Sequence, residues 1–235
     1  FIFFMSSFNS LAQKNVICLN EKGVSIPVFD FYHKNKTSIY NHVSIETDSV
    51  IFKRLRYNYY FGDLRKDIKS QFFKLLYQKH GIDTTKALVI HYRDTIKAMK
   101  NFPKRDSVVH EGETEKWHWH LLSYKGFKRN HFKCLKRYKK FKDANILHFY
   151  GVHLGSSKEL EEMKWLKDYG MLISKLFSDG YSNFKRIIIH PNGEFYITDY
   201  NTKISIKDLI EKNDSWKESK GMFIKKVEEL NKLFD

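Results

Sequence analysis

The sequence predicts an α+β fold: a central, mostly antiparallel sheet with helices packed on it. Three observations carry that expectation. Apolar and aromatic runs of strand length recur at 50–61, 87–92, 145–154 and 187–200. Two segments, 64–79 and 158–177, place apolar residues at helical spacing. Residues 107–111 and 117–124 flank a short polar turn around Gly112, the pattern of a β-hairpin.

Composition sets the outer bounds. The chain has 235 residues, 42% apolar and 16% aromatic, which is globular rather than disordered and enough for a sizeable core. Three Pro and 11 Gly exclude collagen-like or linker-rich character, and no internal repeat is visible. Cys18 and Cys134 suggest neither a disulfide framework nor a cysteine-based zinc site, so a reducing, cytoplasmic setting is expected. No run approaches the ~18 apolar residues of a membrane helix. Residues 1–5 are too short for a signal core and lack a basic leader, and translation is expected to begin at Met5.

The charge points to a partner. With 42 Lys and Arg against 27 Asp and Glu, the formal net charge is +15. Such an excess favours a polyanion, nucleic acid ahead of an anionic membrane surface. Lys, Asn, Ile, Phe and Tyr are all abundant, as an AT-rich genome would produce, and this halves the weight of charge alone.

In chain order, 24–32 alternates like a strand, with Pro27 marking an edge. The run at 50–61 reads as one strand ended by Gly62-Asp63. Leu64, Ile68, Phe72, Leu75 and Leu76 then share a helical face, and Gly81 stops that helix. The run at 87–92 has the character of a buried central strand.

The hairpin that follows carries the most chemistry. In a strand, residues two apart share a face, so His118 and His120 project side by side while Trp119 faces away. Pairing of the two segments brings His110 or Glu111 opposite the His-Trp-His run. Three nitrogen or oxygen donors then converge on one divalent cation. The plainer reading of two histidines in one strand is a pair that is solvated or hydrogen-bonded.

The run His118-Trp119-His120, preceded by His110-Glu111-Gly112-Glu113-Thr114, resembles the HUH endonucleases, which include rolling-circle replication initiators and mobilisation relaxases. Two departures stand out: the upstream spacing is one residue longer, and Trp117 replaces the usual Pro. The resemblance covers about 15 residues. It implies an HUH-like α+β catalytic and nucleic-acid-binding domain over 48–200, with an N-terminal extension at 1–47 and a C-terminal helical appendage at 201–235. It further implies that His118, His120 and His110 or Glu111 hold Mg²⁺ or Mn²⁺, and that single-stranded DNA is the partner. The nucleophilic Tyr of such enzymes sits on a helix after the paired histidines; Tyr169 is the best match, with Lys175 as a phosphate partner. Their Tyr-x-x-Lys spacing is absent, because Leu172 stands three before Lys175. A core tyrosine is the plain alternative.

Between the hairpin and 145–154 lies a basic stretch: Lys125, Lys128, Arg129, Lys133, Lys136, Arg137, Lys139, Lys140 and Lys142, interleaved with Phe127, His131, Phe132, Tyr138 and Phe141. It reads either as a phosphate-tracking surface with stacking platforms or as an amphipathic helix with a solvated basic face, Phe132, Leu135 and Tyr138 turned inward. The run 145–154 carries His148 and His153 on opposite faces. Ser156-Ser157 caps the helix expected over 158–177, whose stripe of Leu160, Met163, Leu166, Tyr169, Ile173 and Leu176 aims Tyr169 at the sheet. Pro191-Asn192-Gly193 turns a hairpin within 187–200. A short helix from about 205 and an amphipathic one over 222–234, burying Phe223, Ile224, Val227, Leu230 and Phe234, complete the chain.

Two functions follow as expectations: metal-dependent nicking and rejoining of single-stranded DNA through a phosphotyrosine, or plain nucleic-acid binding on the same scaffold. Fragments at 145–152 and 195–200 are superficially similar to protein-kinase-like folds. The sequence holds neither a Gly-rich phosphate loop nor a His-Arg-Asp loop to support that.

Overall fold

The aromatic run at 50–61 is not one strand but two, and the break falls at Asn58. Its side-chain amide donates to the carbonyls of Ser38 and Tyr40, both at 3.0 Å, and accepts from the Asn41 amide at 2.7 Å. An Asx side chain that satisfies nearby backbone competes with a continuing ladder. The structure, a computed structural model, describes residues 14–111, 116–177, 184–199 and 204–233, with backbone alone over 108–111 and 116–120. The chain divides at Asn58 into two units, Phe1–Asn58 with Leu230–Asp235, and Tyr59–Glu229.

The first unit contains β1 (Asn15–Leu19), α1 (Val28–Asn35), β2 (Tyr40–Glu46) and β3 (Val50–Tyr57), with strand order β1-β3-β2. Phe31, Ile39, Tyr40 and Leu55 are buried in it. The strand expected at 24–32 is corrected here. Pro27, with φ −54° and ψ 144°, precedes the first turn of α1, and Asp30 sits in that turn. Proline suits the start of a helix as well as the edge of a sheet, and acidic residues favour the first turn. Helical geometry then buries Phe31 while leaving Phe29 exposed.

The second unit opens with β4 (Tyr59–Asp63), α2 (Lys66–His80) and β5 (Ala87–Ile96). Gly81, at φ 63°, ends α2 in the left-handed region, as expected for a glycine at that place. The hairpin β6 (Ser107–Glu111) and β7 (Lys116–His120) follows, then α3 (Tyr124–Tyr138) and β8 (Ala144–His153). Next come α4 (Lys158–Glu161), β9 (Leu166–Lys167), α5 (Leu172–Phe177), β10 (Arg186–Ile189) and β11 (Glu194–Thr198). Helices α6 (Ile206–Glu211) and α7 (Asn213–Lys232) close it; α7 begins nine residues before the expected 222 and leaves Ile224 exposed.

The sheet of this unit has six strands in the order β4-β11-β10-β5-β8-β9. Contacts β4–β11, β11–β10 and β10–β5 are antiparallel, whereas β5–β8 and β8–β9 are parallel. The fold is therefore mixed α+β with an open mixed sheet, in which three of the five strand pairings are antiparallel and the two on the β8 side are parallel. Its cause is the crossover through α3, which returns β8 beside β5 in the same direction. The hairpin β6–β7 does form, but as a separate two-stranded sheet rather than within the six strands. Its second strand stops at His120, and α3 starts at Tyr124, inside the segment expected to be strand.

Alternation along the strands divides the side chains between two faces. Leu88, Ile90, Tyr92, Ile187, Ile189 and Ile197 pack on Phe72 and Leu76 of α2 and on Ile173 and Phe177 of α5. The other face carries Tyr196 and Phe61, whose rings pack together, and Phe61 meets Trp216 and Phe223 of α7. It also carries the residues facing α3. The single helix expected over 158–177 is broken. Lys164, Gly170 and Met171 have φ of 52°, 68° and 56°, and the Asp168 carboxylate accepts from the backbone N–H groups of Ile173 and Ser174 to start α5 afresh. No helix among the described residues is long and apolar enough to cross a membrane.

Candidate functional site

Strand register builds a polar row into an otherwise apolar sheet. Arg186 of β10 stands opposite His91 of β5, and His91 stands opposite His148 of β8. Directly opposed residues share a face. The intervening residues Leu88, Ile90 and Tyr92 belong to the core on the α2–α5 side, so the phase is fixed: a one-residue slip would drive the imidazoles into that core. Helix α3 covers the row with Phe127, His131, Cys134 and Tyr138, spaced i, i+4, i+7 and i+11, which is one helical stripe. The helix is held at its start by Asp106, whose carboxylate accepts from the Ser123 N–H (2.9 Å), the Ser123 hydroxyl (2.6 Å) and Arg129 (2.8 Å). Ser123 in turn accepts from the Gly126 N–H at 3.0 Å, an N-cap.

The imidazoles of His91 and His148 stack at 4.8 Å between centroids and 14° between planes. Cys134 Sγ lies 3.3 Å from His91 Nε2. His131 packs edge-on against His148 at 4.4 Å, and Trp165 lies 5.0 Å from His148 and 5.8 Å from His131. One donor atom from each of His91, Cys134 and His148 falls within 4.8 Å of the others, the only such set of His, Cys, Asp or Glu among the described residues.

Burial dominates the electrostatics. It holds His91 well below the ordinary imidazole range, reinforced by His148, Arg186 and His131. It lowers His148 to about 3, with His131 and Arg93 adding repulsion. His131 is lowered by burial as well; the Met163 backbone lies close enough to oppose this, yet neither ring nitrogen has a hydrogen-bond partner. Burial raises the Cys134 thiol, against the pull of Arg186 and Arg137. At neutral pH the row therefore presents uncharged imidazoles and a thiol, the forms that can donate lone pairs or accept protons.

Around this neutral floor the walls are cationic. Arg93, Lys133, Arg137 and Arg186 line the same cleft of about 290 Å³, together with Asn130, Tyr138 and Trp165, and no carboxylate lines it among the described residues. Arg93 also lies 4.9 Å from the Phe127 ring centroid. Such a lining has the chemistry to receive an anion: guanidinium forks and an ammonium supply charge, and an indole supplies a flat apolar wall.

The residues expected from sequence fall in several places. Of the basic set on α3, Lys133 and Arg137 line the cleft. Arg129 pairs with Asp106 and Lys128 with Glu162. Lys125, Lys136, Lys139 and Lys140 are exposed along or just beyond the helix. Phe132, expected to face inward, is exposed, and the buried stripe runs instead through Phe127, His131 and Tyr138. His118 and His120 lie on β7, and His110 and Glu111 on β6, but their side chains are outside the described residues. Backbone register pairs Val109 with His118 and Glu111 with Lys116. Position 111 thus alternates in phase with 118 and 120, and position 110 out of phase.

Tyr169 does not face the sheet as the unbroken helix required. It stands in a tight turn with 61% of its surface exposed, and the ammonium groups of Lys79 and Lys167 lie 5.1 and 5.6 Å from its ring centroid. Lys175 is exposed on α5. Neither lines the histidine cleft.

His91, His131, Cys134 and His148 were not singled out by sequence reasoning. The signal lay in two patterns: a His in the interior of each of two apolar strand runs, and the i, i+4, i+7, i+11 spacing on the basic helix. No protein-family model, curated protein or solved structure matches the chain.

Proposed function

We propose that the protein binds single-stranded nucleic acid, DNA first, with a backbone phosphate received in the cleft between α3 and the β10-β5-β8 row. The observation that carries this reading is the convergence of Arg93, Lys133, Arg137 and Arg186 on one cleft, in a chain of net charge +15. Trp165 offers a stacking wall, and the exposed lysines of α3 extend the cationic track away from the cleft. The test is a titration of labelled single-stranded DNA by fluorescence anisotropy. Lys133→Ala/Arg137→Ala removes two cations from the wall and weakens binding by roughly three- to thirtyfold if each phosphate contact resembles an exposed ion pair. Unchanged affinity in that variant sinks the reading.

A second reading, strand nicking and rejoining with Mg²⁺ or Mn²⁺ held by the hairpin, is favoured by one observation. The hairpin β6–β7 exists, and its register sets Glu111 in phase with His118 and His120. In this reading the cation polarises the scissile phosphate and a tyrosine attacks it, leaving a 5′-phosphotyrosyl link and a free 3′-OH. Tyr169, exposed and flanked by two ammonium groups, is the candidate nucleophile. A covalent protein–DNA adduct formed with Mn²⁺, and abolished by His118→Ala/His120→Ala, is the expected result; no adduct from wild type on a random single-stranded pool removes it.

A further inference from the structure

The cleft floor supports a second kind of chemistry that is independent of nucleic-acid binding. We infer that His91, Cys134 and His148 bind one Zn²⁺ ion, with a fourth coordination position open to the cleft beside His131. Tetrahedral zinc with a nitrogen ligand at ~2.0 Å and a sulfur ligand at ~2.3 Å sets those two atoms about 3.5 Å apart. Cys134 Sγ and His91 Nε2 already lie 3.3 Å apart. No pair in the set exceeds 4.8 Å, so about 1 Å of closure, with the two imidazoles tilting out of their stack until both ring planes meet at the ion, completes the three-ligand face.

A second observation points to the same place. His131 is 5% exposed and lines the cleft next to His148, and with the Met163 backbone nearby neither of its ring nitrogens makes a hydrogen bond of ordinary geometry. A buried imidazole without partners is costly. A zinc-bound water or anion at the open position supplies the missing partner.

Ligand chemistry selects the metal. Imidazole and thiolate suit zinc, whereas Mg²⁺ and Ca²⁺ require oxygen ligands, and among the described residues no carboxylate lines the cleft. Arg186 and Arg137 oppose a second positive charge, but they also favour the thiolate over the thiol. On binding, the Cys134 thiol releases its proton to solvent and the sulfur lone pair forms the zinc bond, so the bound group carries a net charge of +1. The surrounding guanidinium groups then draw an anion to the open position. This site differs from a hairpin site for Mg²⁺ or Mn²⁺ in ligands, in metal and in place.

Cobalt substitution tests it on the full chain. Metal-free protein is titrated anaerobically with Co²⁺, which in a tetrahedral sulfur–nitrogen site gives a thiolate-to-metal charge-transfer band and visible d–d bands. Saturation at one equivalent and bleaching by one equivalent of Zn²⁺ are expected. Cys134→Ser loses the charge-transfer band, while Cys18→Ser and His118→Ala/His120→Ala keep it. The chain has only two cysteines, so retention in Cys18→Ser assigns the band to Cys134 even if Cys134→Ser fails to fold. The inference is overturned if wild type shows no charge-transfer band, if Cys18→Ser loses it, or if a folded Cys134→Ser keeps it. Single-stranded DNA binding by the metal-free protein is measured alongside, so that failure of the zinc site and failure of the nucleic-acid reading are separate outcomes.

Discussion

His91 and His148 lie face to face across two parallel strands, with centroids 4.8 Å apart and ring planes 14° from parallel. Two imidazoles so placed in a buried row cannot both take a proton without strong repulsion, and burial resists even the first. The sign of the linkage follows. Both groups have folded-state pKa values depressed below the ordinary 6.5, so the unfolded chain binds more protons as pH falls. Stability from this source is fully present above about pH 6.5 and is lost as pH falls towards about 3, the value for His148. Urea midpoints of metal-free protein are expected to drop between pH 7 and pH 4.5, and His148→Leu is expected to flatten that dependence. An equal slope in the variant assigns acid lability elsewhere.

Helix α3 depends on the lock at its first turn. Ser123→Ala removes the N-cap and one of the hydrogen bonds to Asp106 and is expected to cost about 1 kcal/mol in urea unfolding. Gly126→Ala is the more discriminating change. Alanine is ordinarily better than glycine inside a helix by about 1 kcal/mol. Here its methyl group would collide with the Asp106 carboxylate, so the substitution is expected to destabilise. A stabilised Gly126→Ala would show that Asp106 is not held where the three hydrogen bonds put it.

The apolar face of the sheet is expected to dominate stability. Leu88 has no exposed surface and sits with Phe72, Leu76 and Ile187. Leu88→Ala is expected to cost about 2–5 kcal/mol, the range for a buried large-to-small change. A loss under 1 kcal/mol by denaturant titration would mean that the strand is less tightly enclosed.

Salt separates phosphate contact from base stacking. Each phosphate contact to a single strand contributes about 0.7 to the slope of log K against log salt. Lys133→Ala/Arg137→Ala is therefore expected to lower that slope by about 1.4, whereas Trp165→Leu weakens binding without changing it. A slope that does not respond to loss of the two cations would place the phosphates elsewhere on the basic surface.

Tyr169 tests the nicking reading with little risk to the fold. Being largely exposed, Tyr169→Phe is expected to shift stability by no more than about 0.5 kcal/mol. The covalent DNA adduct should vanish while metal-independent binding remains. An adduct that persists in the Phe variant moves the nucleophile to another tyrosine.

What the sequence made legible was periodic. Alternation located β5 and β8, helical spacing located α2, and Pro191-Asn192-Gly193 located the turn between β10 and β11, where Gly193 has φ 99°. Three things were not legible. Helical periodicity persists across a break, so the apolar residues at 158–177 gave no sign that Lys164 and Met171 take left-handed φ. Strand identity does not name a partner: β3 and β4 are contiguous in sequence yet belong to different sheets. The histidine row exists only through the register of strands β10, β5 and β8, a long-range property that neither His91 nor His148 carries by itself.

That strand order has a consequence in time. Tyr59 of β4 pairs with Thr198 of β11, and His91 of β5 pairs with Arg186 of β10, so the β10–β11 hairpin sits between two strands made long before it. Along those edges β4, α2 and β5 are synthesised first and wait without neighbours; β8 can join β5, but β4 stays unpaired until Glu194–Thr198 arrives. Closing such distant contacts lowers chain entropy before any of them is rewarded, which places refolding in the slow, milliseconds-to-seconds range rather than microseconds. A chain interrupted before Arg186 would expose one whole edge of β5, an open template for aggregation. The hairpin made near the end of the larger unit is thus its keystone, and the arginine at its base arrives at the histidines in the same event that joins the sheet.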